Sequence, residues 1–183
     1  MKSEDISRRS FLKRAAALSA AAAIPSFWIP SKANAMPGVP FVSANEKVRI
    51  AFIGIGNRGG EIAQELYKTG LCEVVALCDV DMGAPHTQKL ISMFPKVPRF
   101  QDFRQMFDKM ADKIDAVTVG TPDHSHFPIT IEAMAHGKHV YVEKPMARTF
   151  QEIEVMMRAE KKFGVVTQMG NQGHSEANYF QFK

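Results

Sequence analysis

The stretch Val48-Arg49-Ile50-Ala51-Phe52-Ile53-Gly54-Ile55-Gly56-Asn57-Arg58-Gly59 decides the fold. A mainly apolar run enters a G-x-G-x-x-G loop, and a segment with Ile62, Ala63 and Leu66 at helical spacing follows. Strand, glycine loop and helix in that order open a βαβ unit of the dinucleotide-binding kind. Gly54 permits the tight turn, Gly56 lets backbone approach a pyrophosphate, and Gly59 lets helix and strand pack closely. Ile55, Asn57 and Arg58 fill out the loop that faces the phosphates at the helix N-terminus. A second apolar run, residues 72–78, ends at Asp79, 20 residues beyond Gly59. That is where a carboxylate meets the adenosine ribose hydroxyls. Val80, Asp81 and Met82 come next and offer no cation to a 2′-phosphate, so the expected cofactor is NAD, with NADP disfavoured.

Working outward, further apolar runs at residues 115–119, 139–142 and 165–169, with a weaker one at 97–100, suit strands buried on both faces of a parallel sheet. Helical segments separate them. Asp102 with Gln105, and Thr149 with Glu152, have capping-box spacing. Pro128 and Gly137 bracket another helix. Stripes such as Phe103, Met106, Phe107 and Met110 are core packing. The pattern predicts an α/β domain over residues 48–170 with a doubly wound parallel sheet in the order 3-2-1-4-5-6. Cys72 and Cys78 fall on one strand, roughly 20 Å apart, too far to pair.

Upstream, Arg8 and Arg9 stand in a basic leader that passes into an Ala-rich apolar stretch and reaches Ala33-Asn34-Ala35, a small-x-small cleavage site. This layout predicts a twin-arginine signal over residues 1–35, hence export machinery as a partner and a periplasmic location. Pro25 and Pro30 break the apolar stretch before it reaches the ~20 residues of a membrane span, so no stable anchor is expected after cleavage. Residues 1–35 hold six of the 23 Lys/Arg and two of the 19 Asp/Glu, leaving seventeen of each in the remainder. The net charge of +4 therefore belongs to the leader, and no nucleic-acid partner is expected. Residues 36–47, with Pro37, Gly38 and Pro40, read as a linker.

Three phrases in the second half are more specific: Thr121-Pro122-Asp123-His124-Ser125-His126, then Glu143-Lys144-Pro145 after Ala135-His136-Gly137-Lys138, then Gly170-Asn171-Gln172-Gly173-His174. With the glycine loop they resemble the glucose-fructose oxidoreductase / inositol dehydrogenase / rhizopine-catabolism (Gfo/Idh/MocA) family over essentially all of residues 48–183. The resemblance implies a dinucleotide-binding (Rossmann) domain of an NAD-dependent oxidoreductase acting on a secondary alcohol of a sugar, glycoside or cyclitol. It implies that Thr121 and Pro122 line the dinucleotide, with His124 in the same loop, and that His126 supports it. It further implies that Glu143 and Lys144 lie at the nicotinamide, with Lys144 the catalytic residue beside the substrate. Gln172 and His174 are candidate neighbours of substrate or nicotinamide.

Asp123, His124 and His126 have a spacing that could hold a metal, but no further cluster closes a site, and none is expected. Residues 171–183 read as the start of a second, substrate-binding domain, with a helix opening at Ser175 and Glu176. On the resemblance, the chain is the cofactor half of a longer parent that forms homo-oligomers. Two other readings stand beside the dehydrogenase. One is an NAD-using glycosidase on the same scaffold, working by oxidation and elimination; the other is a non-catalytic NAD-binding fragment.

Overall fold

The computed structural model describes residues 47–174. The leader, the linker up to residue 46 and the helix expected from Ser175 lie outside the described residues. Six parallel strands form one sheet: β1 (Val48–Ile53), β2 (Cys72–Cys78), β3 (Arg99–Phe100), β4 (Ala116–Val119), β5 (His139–Glu143) and β6 (Thr167–Gly170). Their order is β3-β2-β1-β4-β5-β6, as the sequence pattern predicts. The helices α1 (Asn57–Lys68), α2 (Pro85–Met93), α3 (Phe103–Met110), α4 (His126–Ala135) and α5 (Phe150–Phe163) supply the crossovers.

The strands are apolar on both faces because two separate cores need them. Ile50, Phe52, Val74 and Leu77 pack with Ala63 of α1 and Leu90 and Ile91 of α2. On the other face Ala51, Ile53, Val117, Val119, Val140 and Val142 pack with Phe107 of α3, Met134 of α4 and Met156 of α5. The Phe103, Met106, Phe107 and Met110 stripe serves this second core, but the expected core stripe of Phe150, Ile153 and Met157 does not hold: Phe150 and Met157 are exposed, and Met156 is the α5 methionine that packs inward.

Several boundaries differ from the apolar runs. β6 begins at Thr167 rather than Val165 because α5 ends on Gly164 in the left-handed conformation (φ 63°) and Val165 N–H donates to Glu160 O at 3.3 Å. Thr167 then bonds Glu160 Oε1 through both its N–H (3.2 Å) and its hydroxyl (2.7 Å), which sets the strand's starting point. The Thr149 cap forms as expected, with Glu152 N–H donating to Thr149 Oγ1, while Glu152 Oε2 accepts from Arg148 N–H, one residue before the cap. The Asp102 box does not: Asp102 Oδ1 accepts from Arg104 N–H, one residue short of Gln105. α4 starts at His126, so Pro128 sits inside its first turn, where no intrahelical N–H is lost.

At the amino ends of the strands, Asp115 is 2% exposed and takes three hydrogen bonds from Arg49, at 2.9 Å from N–H, 3.0 Å from Nε and 2.6 Å from Nη2. Burial alone would raise the Asp115 carboxyl. The Arg49 bonds and charge outweigh it and hold the carboxyl below its ordinary range. This pair anchors the end of the sheet opposite the glycine loop.

Candidate functional site

The carboxyl ends of β1, β2 and β4, with the loops that leave them, enclose a cavity of about 750 Å³. An open α/β sheet binds its ligands in such a crevice, beside the point where strand order reverses. Here that point lies between β1 and β4.

The glycine loop is as tight as its composition demands. Gly54 has φ +77°, and a Cβ there would lie 2.5 Å from Thr121 N. A Cβ on Gly59 would run into Gly54 O. Neither position tolerates a side chain, so α1 is held against the end of β1. Gly56 precedes α1 with no side-chain cap, and the helix has no acidic residue in its first turn. Its opening N–H groups therefore remain free for an anion. Asn57 takes φ 41°, a left-handed value that asparagine tolerates.

Asp79 leaves the end of β2 and turns toward that loop. Its Oδ2 accepts from Ile55 N–H at 2.9 Å and its Oδ1 from Asp81 N–H at 3.0 Å. Each oxygen keeps a lone pair, so the carboxylate can still accept from ribose hydroxyls while it fixes the two loops. Cys78, just before it, is buried; its thiol is pushed up to about 12 by burial and then by the charges of Asp79 and Asp102. It stays a thiol and packs like a small apolar residue.

Thr121, Pro122 and His124 line the cavity together with Gly54, Gly56, Asn57, Arg58 and Asp79. His126 does not. It is 1% exposed, and its Nδ1 and Nε2 lie 2.6 Å from Pro145 O and 2.8 Å from Thr121 O. It joins the loop after β4 to the loop after β5 from beneath. Glu143 is buried at the end of β5, with its Oε1 3.5 Å from Arg58 Nε. Lys144 follows it, exposed, and makes no hydrogen bond or ion pair among the described residues; its peptide bond to Pro145 is cis. Gln172 stands beyond β6 with a buried Oε1 that has no partner, and Thr121 Oγ1 is buried in the same state.

Sequence reasoning missed several cavity residues. His86, on α2, seats its ring against Gly56, where a Cβ would meet the imidazole Cδ2. Gln101, Phe103 and Arg104 reach the cavity because the two-residue strand β3 pairs with the end of β2. Asp79 N–H donates to Phe100 O, and Gln101 Nε2 donates to Val80 O, both at 3.0 Å. Arg104 corrects one expectation, since a cation does line the cavity that holds Asp79. It comes from the first turn of α3, after β3, and is therefore invisible next to Asp79 in sequence. Its guanidinium lies 4.6 Å from the centroid of the Phe103 ring and 3.5 Å from Asp102 Oδ1.

A dinucleotide fits this arrangement on the structure's own terms. The glycine cradle has no room for side chains, the helix end is uncapped, Asp79 has spare lone pairs and the Thr121 hydroxyl is buried without a partner.

Comparison with known proteins agrees. An oxidoreductase family with an NAD-binding Rossmann fold, Gfo/Idh/MocA, matches residues 48–171. A glycosyl hydrolase family 109 protein of Shewanella sp. (strain ANA-3) is 31% identical over 164 residues, covering 81% of this chain and 35% of its own length. An alpha-N-acetylgalactosaminidase of Shewanella oneidensis is equally similar, at 31% over 164 residues. The chain thus spans about a third of the length of the curated relatives it matches, 35% of these two. Among solved structures, a dehydrogenase from Chromobacterium violaceum superposes with TM-score 0.67 at 25% identity, covering 75% of this chain and 39% of that one. The myo-inositol 2-dehydrogenase of Lactobacillus plantarum shares the fold with TM-score 0.65 at 24% identity, covering 75% and 40%. The chain belongs to the Gfo/Idh/MocA oxidoreductase family and carries its NAD-binding Rossmann fold.

Proposed function

We propose that residues 48–170 are the cofactor domain of an NAD-dependent oxidoreductase that oxidises a secondary alcohol of a sugar, glycoside or cyclitol. The observation that carries this reading is the convergence at the carboxyl ends of neighbouring strands. The glycine loop, Asp79, the Thr121 loop and the Lys144 strand end all meet at the carboxyl side of adjacent parallel strands. Asp79 would hold the adenosine ribose, and the N-terminus of α1 the pyrophosphate. Thr121, Pro122 and His124 would line the path toward the nicotinamide. When bound, NAD supplies the hydride acceptor. Lys144 would hold the substrate hydroxyl and take up its proton. Asp79 favours NAD over NADP by repelling a 2′-phosphate.

A second reading, an NAD-using glycosidase, is favoured by the glycosyl hydrolase names of the relatives at 31% identity. One experiment separates the two. Incubated with NAD and a panel of sugars and glycosides, a dehydrogenase accumulates NADH in proportion to ketone product. A glycosidase releases sugar with no net NADH. If NAD fails to bind in calorimetric titration, or NADP binds as tightly, the cofactor assignment falls.

We also propose export by the twin-arginine route, on the strength of Arg8, Arg9 and the small-residue cleavage site that follows. Changing Arg8→Lys and Arg9→Lys together should retain the protein in the cytoplasmic fraction. Delivery of the double variant to the periplasm would refute this.

A further inference from the structure

Glu143 immediately precedes Lys144 and is 5% exposed. A carboxylate at that depth needs a counter-charge. The cation comes from the glycine loop, two strands away: Arg58 Nε lies 3.5 Å from Glu143 Oε1. Because β4 lies between β1 and β5, the Arg58 side chain spans the carboxyl end of β4 to reach it. The opposite edge of the guanidinium is turned outward, with Nη1 donating to Glu61 Oε2 at 3.1 Å. Gly170 of β6 closes the far side: a Cβ there would run into Glu143 Oε1 and stand 2.8 Å from the Tyr141 hydroxyl. A side chain at this position would displace the carboxylate beside it.

Two atoms of this cluster lack a well-formed hydrogen bond. Arg58 Nε and Glu143 Oε1 are both buried without a partner in good geometry, with the Tyr141 hydroxyl beside both side chains. Their 3.5 Å separation exceeds by more than half an ångström the ~2.8 Å of a charge-assisted hydrogen bond. A small closing movement of the loop toward β5 would satisfy both at once.

We propose that the Arg58–Glu143 pair is a crossbar coupling the dinucleotide loop to the Lys144 segment, which makes Arg58 a positioning residue for the nicotinamide end of the cofactor and not a clamp on its pyrophosphate. This inference rests on the reading of residues 48–170 as the NAD domain. The phosphates would sit at α1, whereas Glu143 ends β5 and Lys144 follows it, so whatever ties the two together would act on the half of NAD that crosses β4.

The test compares NAD with ADP-ribose, which lacks only the nicotinamide, by calorimetry on the full chain. The variants are Arg58→Met, Glu143→Gln and the two combined. Each single change should weaken NAD about tenfold, and the double variant should be no weaker than the worse single one, the signature of a coupled pair. ADP-ribose should change by less than about threefold. Arg58→Lys keeps the charge but lacks the planar Nε edge, so it should resemble Arg58→Met. Equal losses for both ligands, additive losses, or rescue by Arg58→Lys would each overturn the proposal, the first and the last by making Arg58 a phosphate clamp and the second by showing the pair to be uncoupled. If Glu143→Gln does not fold, Gly170→Ala, which crowds the same carboxylate, should give the same nicotinamide-selective loss; equal loss of both ligands refutes it. If the wild type binds neither ligand, the NAD reading fails. The crossbar is then judged by melting temperatures of the same variants: additivity refutes it and coupling upholds it.

Discussion

Lys144→Ala is expected to lower turnover in the proposed oxidation of a sugar alcohol by ~10²-fold or more, the usual scale for a lost proton-transfer group. NAD affinity should stay within about threefold, because the groups proposed to hold the dinucleotide lie elsewhere at the carboxyl ends of the strands. The structure makes this separation clean. Lys144 is exposed at the end of β5 and bonded to no described residue, so its removal leaves no buried orphan behind. Melting temperature should accordingly be unchanged, as for other exposed side chains without partners. Steady-state kinetics and calorimetry on the same preparation check both halves. Full activity in Lys144→Ala would place the proton transfer on another group.

How much of this was readable in the sequence depends on whether a contact is local. The Gly54–Gly59 loop, its strand and its helix are contiguous, and glycine spacing reports backbone geometry directly, so that corner and the order of the whole sheet were legible. Asp79 was legible because a strand-end position follows from counting. The Arg104 and Phe103 side of the cavity was not, since the apolar run at 97–100 marks β3 but not that the first turn of α3 after it faces the cavity. His86 escaped for a similar reason: nothing near it in sequence announces that its ring will rest on Gly56. Glu143 and Arg58 were each singled out, yet their pairing spans 85 positions and surfaces only when β1, β4 and β5 are laid side by side. The His126 contacts belong to the same class. The phrase Thr121 to His126 marks a loop, but the second carbonyl that the ring meets comes from Pro145.

That double contact sets the expectation for His126→Ala. The substitution removes a buried ring whose two nitrogens lie 2.8 and 2.6 Å from the carbonyl oxygens of Thr121 and Pro145, and whose single N–H donates to one of them. A cavity of this size together with a carbonyl left without its donor costs about 3 kcal/mol. For a domain of this length that lowers the melting temperature of the ligand-free protein by on the order of 10 °C. Thermal unfolding without NAD is therefore the decisive measurement. A histidine whose role was to touch the cofactor would leave ligand-free stability alone and weaken NAD on its own. A histidine that ties two loops together lowers stability first, and weakens NAD only because Thr121 and Lys144 are no longer held in place. An unchanged ligand-free melting temperature alongside weakened NAD binding would show that the ring faces the ligand and that the loops are joined by something else.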